Sequence, residues 1–390
     1  MSLAKTISRL KRGRDAFAAA HSSPANGAPA GGPRLGELNL SFANPGNLRA
    51  RCFVPDGLER PAALLVVLHG CTQEADGYDR GAGWSALAER HGFALLYPEQ
   101  KRENNPNLCF NWYQAGDARR GGGEAASIAA MVQAMVKAHG INSDRVFVTG
   151  LSAGGAMAAV MLATYPELFA GGAIIAGMPF GCASNLSEAF ELMAGRGVGD
   201  PAALAGKVRS ASPHRGAWPR VSIWQGSADR IVAPGNADAL VMQWAGLHGL
   251  GPQPDRVEMV DGHPRRVWLG REGQELIEHY DVRGMAHGTP LMPGTGEGQS
   301  GEARAHMLDV GLSSTDRIAA FFGIAPEAAG GKAGAAAGAA RARPAPAARK
   351  AAPARARPAV EAKPAPAAPA PVSGIQKTIE DALRSAGLMK

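Results

Sequence analysis

The chain has 390 residues, 45% of them hydrophobic and 19% charged, with a formal net charge of +7 at pH 7. The charge sits at the ends: residues 1–32 carry a net +4 and residues 326–390 a net +7, leaving residues 33–325 at −4, so the basic balance says nothing of the body's chemistry. No apolar run nears the roughly 20 residues of a membrane span, and the four cysteines lack the C-x-x-C spacing of a zinc knuckle or redox motif.

The N-terminal stretch is charged but has no apolar core of a secretory signal, so a cytoplasmic location is the default and secretion the lesser alternative. Residues 4–20 suit a short basic amphipathic helix or a solvated leader, and residues 22–36 are a Ser/Pro/Ala/Gly linker. Residues 1–37 therefore read as leader and linker. A catalytic body follows at 38–325.

Within that body, residues 38–42 and 48–54 are expected as two strands around an Asn44-Pro45-Gly46-Asn47 turn. Residues 62–68, AALLVVL, are fully apolar and suit a central parallel strand. Helices follow at 84–91, 124–139, 236–248 and 314–322, the last with a serine cap. Further strands fall at 93–97, 146–148, 172–176, 221–224 and 275–282. Strands alternating with helices at this spacing imply a doubly wound, mainly parallel α/β sheet.

The stretch 145–163 is the centre of that arrangement. A short apolar strand leads into Gly150-Leu151-Ser152-Ala153-Gly154, and a small-residue helix leaves it: a G-x-S-x-G nucleophile elbow in its proper setting. The flanking glycines permit the sharp turn that lifts the Ser152 hydroxyl above the sheet edge. A serine hydroxyl needs an adjacent base. Of the histidines downstream (His248, His263, His279, His287 and His306), His287 lies in an irregular loop leaving the strand at 275–282. Asp229 lies in the loop after the strand at 221–224, whereas Asp238, Asp255 and Asp261 fall in a helix or a hairpin. The order Ser152, Asp229, His287 is that of α/β-hydrolases. Backbone N–H groups of Ala153 and Cys71 are the candidate oxyanion donors, Cys71 from the His69-Gly70-Cys71 loop after an early central strand. No His/Asp/Glu cluster has metal-ligand spacing, and no cofactor is expected.

Residues 328–372 are Ala, Pro, Gly, Lys and Arg with almost no bulky apolar residue, an expected disordered tail within a 326–373 segment. Residues 374–390 carry Ile375, Ile379 and Leu383 on one helical stripe, a candidate amphipathic helix. The basic stretch 341–363 could meet a nucleic acid or an anionic granule surface, or serve only as a solubilising tail.

Together, His69-Gly70-Cys71-Thr72-Gln73, Tyr97-Pro98-Glu99-Gln100, Asn107-Leu108-Cys109-Phe110-Asn111-Trp112, Gly123-Glu124 with Ser127-Ile128, and the elbow resemble the polyhydroxybutyrate depolymerase family of esterases, across residues 38–323. The resemblance implies an α/β-hydrolase cleaving poly(3-hydroxybutyrate) or its oligomers through an acyl-enzyme, with Ser152, Asp229 and His287 as triad. It implies Trp112, with Asn111 and Leu151, as contacts for substrate, though Trp112 can equally be core. The family shades into feruloyl and acetylxylan esterases, the alternative activity; a granule- or DNA-binding protein acting through its basic tail is the alternative of another class. Secreted relatives bridge cysteines, which leaves a Cys71–Cys109 disulfide open; in a reducing compartment four ordinary thiols are expected.

Overall fold

The computed structural model of the chain describes residues 34–327. The expected leader helix at 4–20, most of the linker, the tail from residue 328 and the stretch 374–390 lie outside the described residues.

In chain order the elements are β1 (Gly36–Glu37), β2 (Arg49–Phe53), β3 (Ala62–Leu68), α1 (Ala75–Ala82), α2 (Trp84–His91), β4 (Phe93–Glu99), α3 (Gly123–His139), β5 (Ile141–Leu151), α4 (Ala153–Thr164), β6 (Gly171–Ile175), α5 (Leu186–Met193), α6 (Pro201–Ser210), β7 (Arg220–Gly226), α7 (Gly235–His248), β8 (Arg256–Val260), β9 (His263–Leu269), β10 (Glu275–Val282), β11 (Thr289–Leu291), β12 (Met307–Asp309) and α8 (Ser314–Phe321). Ten strands form one sheet in the order β1-β2-β4-β3-β5-β6-β7-β10-β9-β8. The six from β4 to β10 run parallel, and antiparallel strands flank them at both edges. This is the α/β-hydrolase architecture that the alternating strands and helices imply.

All seven side chains of β3 are buried, which is why its sequence is uniformly apolar rather than alternating. Leu64, Val66 and Leu68 enter one core with Ile128 of α3, Met157 of α4 and Trp244 of α7. Ala63, Leu65 and Val67 enter the other with Tyr78 of α1, Leu87 of α2 and Ile318 of α8. Successive residues thus face opposite layers, and a one-residue slip would exchange the two cores. Helix α4 is buried along its whole length, and its small residues let it lie against β5 and β6. Ser313 caps α8, accepting from the Asp316 N–H.

Some segments depart from expectation, and an expected hairpin joins the sheet. Residues 38–42 are not a strand; the pairing with β2 is made by β1, just upstream. The Asn44 side chain bonds Leu48 at both N–H and C=O, and the Gly46 N–H donates to Ser127 Oγ of α3 at 2.7 Å, so local turn bonding and packing hold the chain off the sheet. Helix α1 escapes a periodicity reading because its sequence, ADGYDRGA, carries two glycines. The β8–β9 hairpin, turning at Asp261 and Gly262 with positive φ, extends the sheet past β10. Among the described residues no helix is long and apolar enough to cross a membrane.

Candidate active site

The site assembles at the carboxyl ends of β3, β5, β7 and β10, where loops leave the sheet edge. Strand β5 ends at Leu151, and Ser152 follows with φ 57° and ψ −117°, a conformation disfavoured for a residue bearing Cβ. The Ser152 N–H donates to the Ile175 carbonyl at 2.9 Å, which anchors the turn on β6. A Cβ on Gly154 would run into the Leu68 and His69 carbonyls, so only glycine lets α4 start this close to the end of β3.

Asp229 and His287 meet across two loops that are joined along their length. Ala228 N–H donates to the Met285 carbonyl at 3.0 Å, and Gly284 N–H to Ser227 Oγ at 2.9 Å. A Cβ on Gly226 would collide with the Met285 carbonyl, so glycine at the end of β7 is what allows this close approach. His287 Nδ1–H donates to Asp229 Oδ2 at 2.7 Å. The other Asp229 oxygen accepts from the Ile231 and Val232 N–H groups at 2.8 and 2.9 Å, and Gln225 Nε2 donates to Oδ2 at 3.0 Å. Four donors converge on one buried carboxylate, which fixes its position. With Nδ1 committed as a donor, Nε2 of the neutral ring is the basic nitrogen. It is buried and has no hydrogen-bond partner among the described residues. Ser152, Asp229 and His287 are 5%, 5% and 6% exposed, which keeps competing water from these groups.

The candidate oxyanion side, around Cys71, is built differently. Burial pulls the His69 imidazole down to about 4, so the ring is neutral near pH 7. Gln100 N–H donates to Nε2 at 3.2 Å, which leaves Nδ1 to carry the proton and donate to the Gly70 carbonyl at 2.8 Å. Gly70 C=O and Cys71 N–H belong to one rigid peptide plane, so fixing the carbonyl fixes the opposite direction of the N–H. Gln73 Oε1 accepts from the Gly70 N–H at 2.8 Å, and Asn107 C=O from the Thr72 N–H at 2.7 Å.

Cys71 and Cys109 form a disulfide, while Cys52 and Cys182 are free; the expectation of four ordinary thiols is corrected. The bridge ties the oxyanion loop to residues 105–112. That segment rests on Glu124 at the start of α3: Asn111 N–H and Nδ2–H and Gln100 Nε2–H donate to its carboxyl at 2.8, 2.8 and 2.6 Å. Burial, and then the nearby Asp117 charge, push Glu124 up to about 8.

Two expected substrate contacts take other roles. Asn111 spends its amide on Glu124 and on Asn105 Nδ2, so it braces the wall. Leu151 is 1% exposed and packs in the core with Phe147 and Ile175, because alternation along β5 turns it under the sheet. Trp112 is 9% exposed, edge-on to Tyr113 and packed in the same core as Cys71, beside the oxyanion loop.

Of the other histidines, His279 is buried beside the Arg266 guanidinium, and burial followed by that charge pulls it down to about 3. His263 accepts the Arg283 N–H on Nδ1 at 3.1 Å and bonds the Val310 carbonyl through Nε2 at 3.2 Å, propping the start of the His287 loop. Sequence spacing gave no sign of this role, nor of Gln225 or His69 as braces. Among the described residues no group of His, Cys, Asp or Glu gathers as a metal site.

Residues 50–253 match the protein family described as Esterase PHB depolymerase. The chain is 47% identical over 291 residues to the poly(3-hydroxyalkanoate) depolymerase C of Paucimonas lemoignei, spanning 74% of this chain and 70% of that protein. It is 35% identical over 269 residues to a probable acetylxylan esterase A of Aspergillus clavatus, spanning 66% of this chain and 86% of that one. Among solved structures it is similar to an acetyl xylan esterase from Aspergillus awamori, with a TM-score of 0.63, 26% identity, and coverage of 75% of this chain and 99% of that one. The chain belongs to the Esterase PHB depolymerase family and is an ester hydrolase of the α/β-hydrolase fold.

Proposed function

We propose that the protein is a serine esterase hydrolysing the ester bonds of poly(3-hydroxybutyrate) or 3-hydroxybutyrate oligomers, with Ser152 as nucleophile, His287 as base and Asp229 as orienting acid. The observation that carries the site is the 2.7 Å Asp229–His287 bond between loops joined to each other, together with the positive-φ serine where β5 ends. The 47% identity to a poly(3-hydroxyalkanoate) depolymerase supports the substrate class.

In this reading Ser152 Oγ attacks the ester carbonyl while His287 Nε2 takes its proton. The Cys71 and Ala153 N–H groups receive the oxyanion, each contributing about 10²-fold or more in rate. Collapse breaks the bond to the alcohol oxygen, which leaves with the proton from His287. Water then attacks the acyl-enzyme by the same route, releasing the acid and restoring Ser152. Asp229 holds the Nδ1–H tautomer throughout and stabilises the imidazolium.

Ser152→Ala should abolish hydrolysis of amorphous polyhydroxybutyrate and of p-nitrophenyl butyrate with the fold intact; retained turnover would remove the nucleophile assignment. The acetylxylan esterase relatives support a second reading, deacylation of a carbohydrate. Rates on amorphous polymer, 3-hydroxybutyrate oligomers, acetylated xylan and methyl ferulate, measured side by side, separate the two.

The basic segment at 341–363 supports contact with an anionic granule surface, or with nucleic acid, driven by counterion release. Comparing the full chain with one ending at Ala325 for co-sedimentation with granules and for DNA binding over a salt series tests this. Equal binding by both chains contradicts it. As to location, the Cys71–Cys109 bridge favours an oxidising compartment over the cytoplasmic expectation. Thiol trapping in the source cells distinguishes them: a bridge found reduced there returns the reading to the cytoplasm.

A further inference from the structure

The loop from 283 to 288 that carries His287 is irregular, so its backbone must be held from outside. The loop after β7 holds one side. On the other side stands the small parallel pair β11–β12, where Thr289 N–H donates to the His306 carbonyl at 2.8 Å. His306, just before β12, has φ +60°, a conformation that side-chain-bearing residues adopt only when their surroundings impose it. Its ring lies edge-to-face on the His287 ring, with centroids 5.9 Å apart and planes at 75°. Its Nδ1 is 3.1 Å from the His287 carbonyl. A carbonyl only accepts, so Nδ1 carries a proton and donates.

We propose that His306 is a positioning residue for the base: it pins the His287 backbone through Nδ1–H and packs its ring against the imidazole, so that Nε2 stays aimed at Ser152. The inference rests on the reading of His287 as base. The same contact has an electrostatic side. His287 and Asp229 both act electrostatically on His306. Burial, and more weakly His287, lower the His306 ring below its usual range, against the hydrogen bond to the His287 carbonyl and the Asp229 charge. A neutral His306 does not oppose the imidazolium that His287 must become, whereas a charged one at this distance would.

Asparagine tests the assignment closely. Its side-chain amide can occupy the place of Nδ1, and it tolerates positive φ better than most residues, yet it neither titrates nor supplies a ring. His306→Ala should lower kcat on p-nitrophenyl butyrate about 10-fold with KM nearly unchanged, and His306→Asn should restore most of it, since small misplacement of a base is costly. In His306→Asn the acid limb of the kcat/KM profile should stay where the wild type has it, because a neutral His306 sets no charge against His287 protonation. Rates are taken per active site, by titration with a serine-reactive phosphonate. Wild-type kcat in both variants would overturn the proposal. So would equal losses in both, with no rescue by asparagine, which would make His306 scaffold only. His287→Ala is the control: its retention of wild-type turnover would instead remove the base assignment itself.

Discussion

The two halves of the site are held by different physics. On the nucleophile side, Ser152, Asp229 and His287 sit where strands β5, β7 and β10 end, and backbone bonds fix the loops: Ser152 to Ile175, Ala228 to Met285, Ser227 to Val282. On the oxyanion side, the His69–Cys71 loop is fixed by side chains and a covalent bond: the His69 ring, the Gln73 amide, the Cys71–Cys109 bridge and the Glu124 carboxyl under residues 105–112. The first half takes its strand-end positions from the sheet, with the His263 and His306 rings bracing the loop that carries His287. The second must build its own, and so carries buried polar groups that fail together if one is removed.

Perturbing each half should expose that difference, beginning with the largest effect. Ser152→Ala should lower kcat on the order of a million-fold with unchanged thermal stability, since the elbow is held by main chain. Asp229→Asn should cost about ten-thousand-fold in kcat through loss of the correct histidine tautomer, with KM little changed. A KM-dominated loss would mean that Asp229 holds the loop rather than the imidazole. Opening the bridge, by Cys109→Ser or by reduction, should lower kcat/KM about 10-fold through a displaced Cys71 N–H, and leave phosphonate labelling of Ser152 in place. If labelling is lost equally, the two halves are not separable.

The order of the proposed triad is legible because each member follows a strand end, and strand ends follow from apolar runs and glycines that local sequence displays. The apolar run at 62–68 likewise gave the central strand. The braces of the oxyanion side were hidden because they are non-local: His69 meets Gln100, and Glu124 meets Asn111, through packing of α3 on the loop. The motifs that contain Gln100 and Glu124 mark the neighbourhood but not the bonds. Asn111 and Leu151 turn away from the expected role for the same reason, since neither a motif nor a place in the elbow reveals which way a side chain points. Helix α1, poor in helix formers, forms because Ala75, Tyr78 and Ala82 complete a core, a tertiary contribution that propensity does not report.

Glu124 gives the smallest and most specific test of the oxyanion half. Its folded value of about 8 lies above the ordinary 4.5, so the folded state holds the proton more tightly, and stability falls as pH rises through that window. Glu124→Gln, which cannot ionise, should flatten the decline seen by urea unfolding between about pH 5 and 8. An unchanged slope would show that the carboxyl is already ionised, held by its three donors.

The central claim is that Ser152, activated by His287, carries the acyl group. Mass spectrometry of the enzyme quenched during turnover of a 3-hydroxybutyrate oligomer, then digested, tests it directly. The account predicts a hydroxybutyryl adduct on the peptide containing Ser152, absent in Ser152→Ala and in His287→Ala. An adduct on any other residue, or polymer hydrolysis by Ser152→Ala at the wild-type rate, would contradict it.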